Sequence, residues 1–213
     1  MKTWKKAVAL ALCAVFLVVG TISGTLAYIT EESNVLKNSF TIGDVEMWVD
    51  ETKVGTNGVP VQGAQERDKV GQEYLLMPGH EYTKDPIIHI AANSEPCWLF
   101  VEITNPLGNL EDESSTIEGQ MLAVTNGASK WTVIERNVDE NSTIYGYNAR
   151  IEKSTSITNI PTFGKFKIDS EKTQADIETM KGKSIIVKAY AVQADNVLDS
   201  SETAWNATFG ANN

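Results

Sequence analysis

Apolar residues recur along this chain with a two-residue period in several short segments. That period marks a strand, because successive strand side chains point to opposite faces. Between residues 39 and 49, Phe40 and Ile42 precede Gly43-Asp44, while Val45, Met47 and Val49 follow it. The alternation resumes one residue out of step, which predicts a bulge at Gly43-Asp44. Residues 86–92 and 96–104 are β-branched and aromatic, and Asn93-Ser94-Glu95 lies between them. They read as adjacent strands joined by a tight turn. Within the second, Cys97, Leu99, Val101 and Ile103 form one apolar face, and Trp98 and Phe100 form the other. A strand apolar on both faces belongs in the middle of a sandwich. Further strands are predicted over 131–138, 143–151, 163–168 and 184–194. The last is apolar on both faces except for Lys188 and Gln193, with Val187 and Ala189 as core positions.

Two stretches carry helical spacing instead. Residues 170–181 open on Ser-Glu-Lys-Thr, place Ala175, Ile177 and Met180 on one weak face, and stop at Gly182. Residues 200–209 open on Ser-Ser-Glu-Thr-Ala and align Ala204, Trp205, Thr208 and Phe209, which predicts a terminal helix docking Trp205 on the sandwich. Two polar loops are expected, 50–72 with four glycines and 108–119 with the acidic run Glu111-Asp112-Glu113. That run reads as solvated surface, because the alternating acids of a calcium loop are missing. No repeat or heptad is visible, which excludes solenoids, propellers and coiled coils. The fold class is all-β, a two-sheet sandwich with one or two short peripheral helices.

The amino terminus breaks this pattern. Three lysines within residues 1–6 precede the apolar run 7–19, and small residues follow, ending in Thr25 and Ala27. This is the layout of a secretory signal, with Thr25 and Ala27 at the −3 and −1 positions and Tyr28 as the mature start. An uncleaved anchor is the alternative, since no charge falls between Lys6 and Glu31. Lipidation at Cys13 is disfavoured because Leu12 stands where a lipobox needs a small residue. The chain divides into a signal peptide over 1–27, an arm over 28–39 and a sandwich domain over 40–213. Freed by cleavage, the arm leads into β-structure, and Ile29, Val35 and Phe40 would fill pockets along a neighbour's sheet edge.

Composition narrows the function. The 213 residues include 18 Lys and Arg against 28 Asp and Glu, a formal charge of −10. With no basic patch, nucleic acid is excluded as a partner. Loss of residues 1–27, which hold three lysines and no acid, takes the charge to −13. The same cleavage leaves Cys97 as the only cysteine, so no internal disulfide forms, and its apolar setting marks a core thiol. His80 and His89 are weak metal candidates. They stand nine apart with Glu81 beside the first and Pro86 between them, whereas a helix-borne zinc site needs histidines at i and i+4. There is no Gly-x-Ser-x-Gly elbow and no phosphate loop. No catalytic residue is assigned and no cofactor is expected.

Several segments fall into a known order. Gly24-Thr25-Leu26-Ala27-Tyr28-Ile29-Thr30, followed by Asn38-Ser39-Phe40-Thr41-Ile42-Gly43-Asp44-Val45, resembles the start of the camelysin and TasA family of secreted biofilm-matrix proteins. Met77-Pro78-Gly79-His80-Glu81-Tyr82-Thr83-Lys84-Asp85-Pro86 looks like that family's Pro-Gly turn and Lys-Asp-Pro strand entry. Trp98-Leu99-Phe100-Val101-Glu102-Ile103 resembles its core strand, and residues 187–194 with Ala204-Trp205 its carboxy-terminal block. The likeness covers both ends of the mature chain and little of 107–162. It implies a jelly-roll sandwich processed by a signal peptidase of SipW type in a Gram-positive cell. It also implies polymerisation into extracellular fibres, in which the amino-terminal strand of one subunit completes its neighbour's sheet. The expected partners are further copies of the chain and other matrix proteins. A casein-cleaving metallopeptidase of the camelysin kind and a surface adhesin are the alternative functions.

Overall fold

The strand with two apolar faces lies at the centre of the molecule. The structure, a computed structural model, describes residues 41–42 (backbone alone), 45–64, 66–194 and 199–210. Its strands are β1 (Thr41–Ile42), β2 (Met47–Asp50), β3 (Glu81–Thr83), β4 (Ile87–Ile90), β5 (Cys97–Thr104) and β6 (Val124–Thr125). They continue with β7 (Ala128–Ser129), β8 (Trp131–Asn137), β9 (Ser142–Tyr147), β10 (Thr158–Pro161), β11 (Lys165–Lys167) and β12 (Ile186–Gln193). Among the described residues there are three short α-helices, α1 (Ile117–Met121), α2 (Gln174–Glu178) and α3 (Ser201–Thr208). Among the described residues, no helix is long and apolar enough to cross a membrane.

The larger sheet has five strands in the order β1-β12-β5-β9-β8, antiparallel throughout except for the parallel pair β1 and β12. The smaller sheet has the order β10-β4-β2. Its ladder continues into β11 and β3 in the same register, Thr83 opposite Lys165 and Ile87 opposite Pro161. Across the gap, Lys84 N–H donates to the Gly164 carbonyl at 3.2 Å and Thr162 N–H to the Pro86 carbonyl at 3.1 Å. Pro86 has no N–H to give, so the ladder thins there without losing register. The chain alternates between layers, with β2 and β4 in the smaller sheet, β5, β8 and β9 in the larger, β10 and β11 back, and β12 forward. This is an all-β, jelly-roll-like two-sheet sandwich.

Each face of the larger sheet has its own cover. Cys97, Leu99, Val101 and Ile103 of β5, with Val187 and Ala189 of β12, pack against Tyr82, Ile88, Ile90 and Phe166 of the smaller sheet. On the far side, Trp98, Phe100, Val192 and Ala194 lie under Ala204 and Trp205 of α3. Trp205 stands 5.1 Å from Phe100 and 4.4 Å from Phe209, centroid to centroid. Ser200 caps α3, its hydroxyl accepting from Thr203 N–H at 3.2 Å. Trp205 therefore belongs to the helix-covered face, not to the space between the sheets.

Several expectations are corrected. β4 and β5 do not pair; Asn93-Ser94-Glu95 carries the chain from one sheet to the other. Asn93 takes φ 64° there, and Ser94 Oγ accepts from Glu46 N–H at 3.3 Å. A strand apolar on both faces needs a layer on each side, and β5 gains its edge partners from β12 and β9 instead. The helix expected over 170–181 shrinks to Gln174–Glu178. Its Thr173–Asp176 capping box is present, but Ile177 is its one buried side chain, too little to hold further turns. The acidic run is not all solvated: Glu111 is buried, and Asp112 pairs with Lys167 Nζ at 2.6 Å. The strand expected to reach residue 151 ends at Tyr147, and Ile151 returns as a lone bridge to Cys97. The bulge expected at Gly43-Asp44 lies outside the described residues. Among the described residues, a register shift occurs in β8, between Val133 and Glu135.

Candidate functional site

β12 is paired along its full length on one side only. Ile186 to Gln193 stand opposite Thr104 to Cys97 of β5 without interruption. On the other side β1 matches Ala191 and Val192 alone. Among the described residues, no strand pairs with the outer edge of 186–190. Such an edge is a row of unpaired N–H and C=O groups, a template for another strand. Its single cation is neutralised internally, since Lys188 Nζ lies 3.4 Å from Glu102 Oε2. Glu102 also accepts from Tyr190 Oη at 2.6 Å and from Ser142 Oγ at 3.0 Å. Burial alone would raise the Glu102 carboxyl; the Tyr190 and Ser142 hydrogen bonds and Lys188 outweigh it and hold the carboxyl below its ordinary range. Burial and the Glu102 carboxylate push the Tyr190 phenol up.

Thr25, Ala27, Tyr28, Ile29, Val35 and Phe40, the residues expected to form the cleavage site and the assembly arm, lie outside the described residues. Cys97 is wholly buried, and desolvation pushes its thiol up to about 11. It is a small hydrophobe here, with no thiolate to react.

The two histidines sit in separate settings. His80 Nε2 lies 2.8 Å from the Asn57 carbonyl, and its ring meets Tyr82 edge-on at 4.6 Å. His89 stacks on Trp48 at 5.0 Å, with Nδ1 2.7 Å from Asn159 Oδ1. Its Nε2 is 2.9 Å from Asp50 Oδ2, off the direction of a hydrogen bond. The two rings share no partner among the described residues: His80 meets Asn57 and Tyr82, and His89 meets Trp48, Asn159 and Asp50. Among the described residues, no group of three or more His, Cys, Asp or Glu side chains is placed to hold a metal.

The polar cluster around His89 has almost no signature in the sequence. Arg67, from the long loop, places Nε 2.5 Å from Asp50 Oδ1 and Nη1 2.8 Å from Thr52 Oγ1. Its Nη2 donates to the Asp85 carbonyl at 2.8 Å. Burial would raise the Asp50 carboxyl, but His89 and Arg67 together hold it below its ordinary value. Every nitrogen of this guanidinium is engaged, so the arrangement fastens the loop over β2 and leaves no free nucleophile. Only the lone Arg67 in an acidic loop hints at it in the sequence. A second cleft, about 530 Å³, has Glu111 and Tyr145 among its lining residues. Both Glu111 oxygens are occupied, one by Ile117 N–H at 3.0 Å and one by Asn105 Nδ2 at 2.8 Å. That carboxylate braces the start of α1. Set beside protein-family models, curated proteins and solved structures, the chain matches none of them.

Proposed function

We propose that this chain is a secreted, self-assembling structural subunit of an extracellular biofilm matrix, of the camelysin and TasA kind. A signal peptidase of SipW type releases it, and the freed arm of one subunit adds as a strand to the sheet of the next. The observation that supports this reading is the outer side of β12, where residues 186–190 have no strand partner among the described residues and the one lysine is already neutralised. Strand addition takes affinity from backbone hydrogen bonds and specificity from alternate side chains, and the arm offers Ile29 and Val35, with Phe40 directly after it. The subunit acts as scaffold, needing neither cofactor nor nucleic acid, and its partners are its own copies and other matrix proteins.

Negative-stain microscopy of the purified mature chain, beside a casein digest with and without chelator, tests this. Fibres and intact casein are expected. A monomer at every salt concentration overturns the assembly reading, and chelator-sensitive casein cleavage favours the metallopeptidase instead.

A further inference from the structure

One buried ion pair in this molecule is poorly served by its surroundings. Glu51 follows β2, Lys84 leads from β3 towards β4, and the two residues are 6% and 7% exposed. Lys84 Nζ lies 2.7 Å from Glu51 Oε2. Among the described residues this is the only hydrogen bond made by either charged group. Glu51 Oε1 is buried without a partner, and the ammonium, with three protons to donate, places one. Burial of opposite charges is offset only when the remaining lone pairs and protons are also hydrogen-bonded. The neighbouring Arg67 meets that condition with contacts to Asp50, Thr52 and Asp85. The Lys84–Glu51 pair does not.

The backbone anchors each residue separately, and the pairing of β2 with β4, Asp50 opposite Ile87, brings their segments side by side. Glu51 exchanges both backbone hydrogen bonds with Asp68, at 2.9 and 2.7 Å, and Lys84 N–H donates to the Gly164 carbonyl at 3.2 Å. Amine and carboxyl are thus fixed at reacting distance, the condition under which two groups behave as if highly concentrated.

We propose that Lys84 and Glu51 are joined in the folded protein by an intramolecular isopeptide bond. A proton first passes from Nζ to the facing carboxylate, giving amine and acid. The nitrogen lone pair then attacks Cδ of Glu51. The tetrahedral intermediate expels hydroxyl, which leaves as water with a second Nζ proton, and the third proton stays as the amide N–H. A C–N bond replaces a C–O bond, with no oxidant, reductant or cofactor involved. Condensation removes both charges and one of the two carboxyl oxygens, so it relieves the shortage of partners. It also ties residues 33 apart in sequence, closing the loop that Arg67 fastens. The only free cysteine among the described residues is the buried Cys97, so the linkage supplies a redox-independent staple where no disulfide is at hand.

The test is the intact mass of the purified folded wild-type chain, followed by digestion under denaturing conditions. The chain is expected to be lighter than its sequence by one water, and the digest to contain a branched peptide joining the Glu51 and Lys84 segments. Lys84→Arg is expected to recover the full sequence mass and to melt at lower temperature. A wild-type chain at sequence mass, with both segments recovered as linear peptides, overturns the proposal. So does a missing water that maps elsewhere. Both deciding measurements are made on the wild type, so they hold even where the variant folds poorly.

Discussion

The two sides of the five-stranded sheet are built differently: β8 ends it on one side, while on the other β1 covers β12 only at Ala191 and Val192 among the described residues. β8 carries a register shift between Val133 and Glu135, which bends it. It also presents Arg136, paired with Glu118 at 2.6 Å in a contact where both side chains remain nearly half exposed. Bends and exposed charges are the usual guards against edge-to-edge pairing. β12 has neither. Its eight residues run in unbroken register with β5, and its lysine turns back to Glu102. Under the proposed function the contrast favours assembly in one direction: a sheet guarded along β8, with 186–190 of β12 unpaired on their outer side among the described residues, would join its neighbour head to tail. Such heterologous contacts grow into open filaments when the rotation does not close.

The largest effect is expected from the arm. Deleting residues 28–38 from the mature protein should abolish fibres seen by microscopy while the circular dichroism spectrum stays strand-rich. Unchanged polymerisation would remove the arm as the joining strand. A smaller effect is expected from placing one charge on each edge. Ile186→Glu, at the start of β12, should reduce the fibre yield several-fold in a sedimentation assay, whereas Thr132→Glu on β8 should leave it unaltered. Equal losses from both variants would erase the distinction between the edges. Salt should act more weakly still. A mature charge of −13 opposes the meeting of like subunits, and at 0.1 M salt the screening length is about 10 Å. Faster assembly on going from low to physiological salt is therefore expected in a light-scattering time course, and slower assembly would show that attraction between charges drives it.

What is legible in the sequence follows from which physical signals are local. β5 and α3 can be read because two-faced apolarity and helical spacing are written in consecutive residues, and Trp205 marks the helix face unambiguously. β3 and β10 cannot. Glu81-Tyr82-Thr83 has one apolar core position, and Thr158–Pro161 contains Asn159 and Pro161. Both are strands because the continuous ladder between residues 81–90 and 158–167 imposes it, a case of tertiary context overriding propensity. The Arg67 cluster joins partners 15 to 18 residues away through a loop with no period of its own. The outer side of β12, without a strand partner over 186–190 among the described residues, is hidden for a different reason. Apolar faces tell which layers cover a strand and carry no information about whether its edges are paired.

The smallest expected effect concerns the group that neutralises the lysine of β12. Glu102 has a folded pKa held below its ordinary value, so its contribution to stability is present above the ordinary carboxylate range and is lost as pH falls through the lowered value. Glu102→Gln removes that charge and keeps an oxygen for one of the two hydroxyls, since Tyr190 donates to Oε2 and Ser142 to Oε1, and sets an amide N–H toward the other. The substitution should cost about 1 kcal/mol at neutral pH, the scale of one charge-assisted hydrogen bond weakened to a neutral one. In urea denaturation the difference between variant and wild type should shrink as the solution is acidified, because the wild type then loses the same charge. A difference that stays constant into the acid range would show that some other group carries the dependence. The variant also leaves Lys188 without its partner, placing an uncompensated cation on β12 and making that edge more like the guarded β8. Fibre yield should then fall slightly at neutral pH, and by less than for Ile186→Glu, because Lys188 can swing its charge into solvent while a glutamate at 186 is fixed at the strand's end.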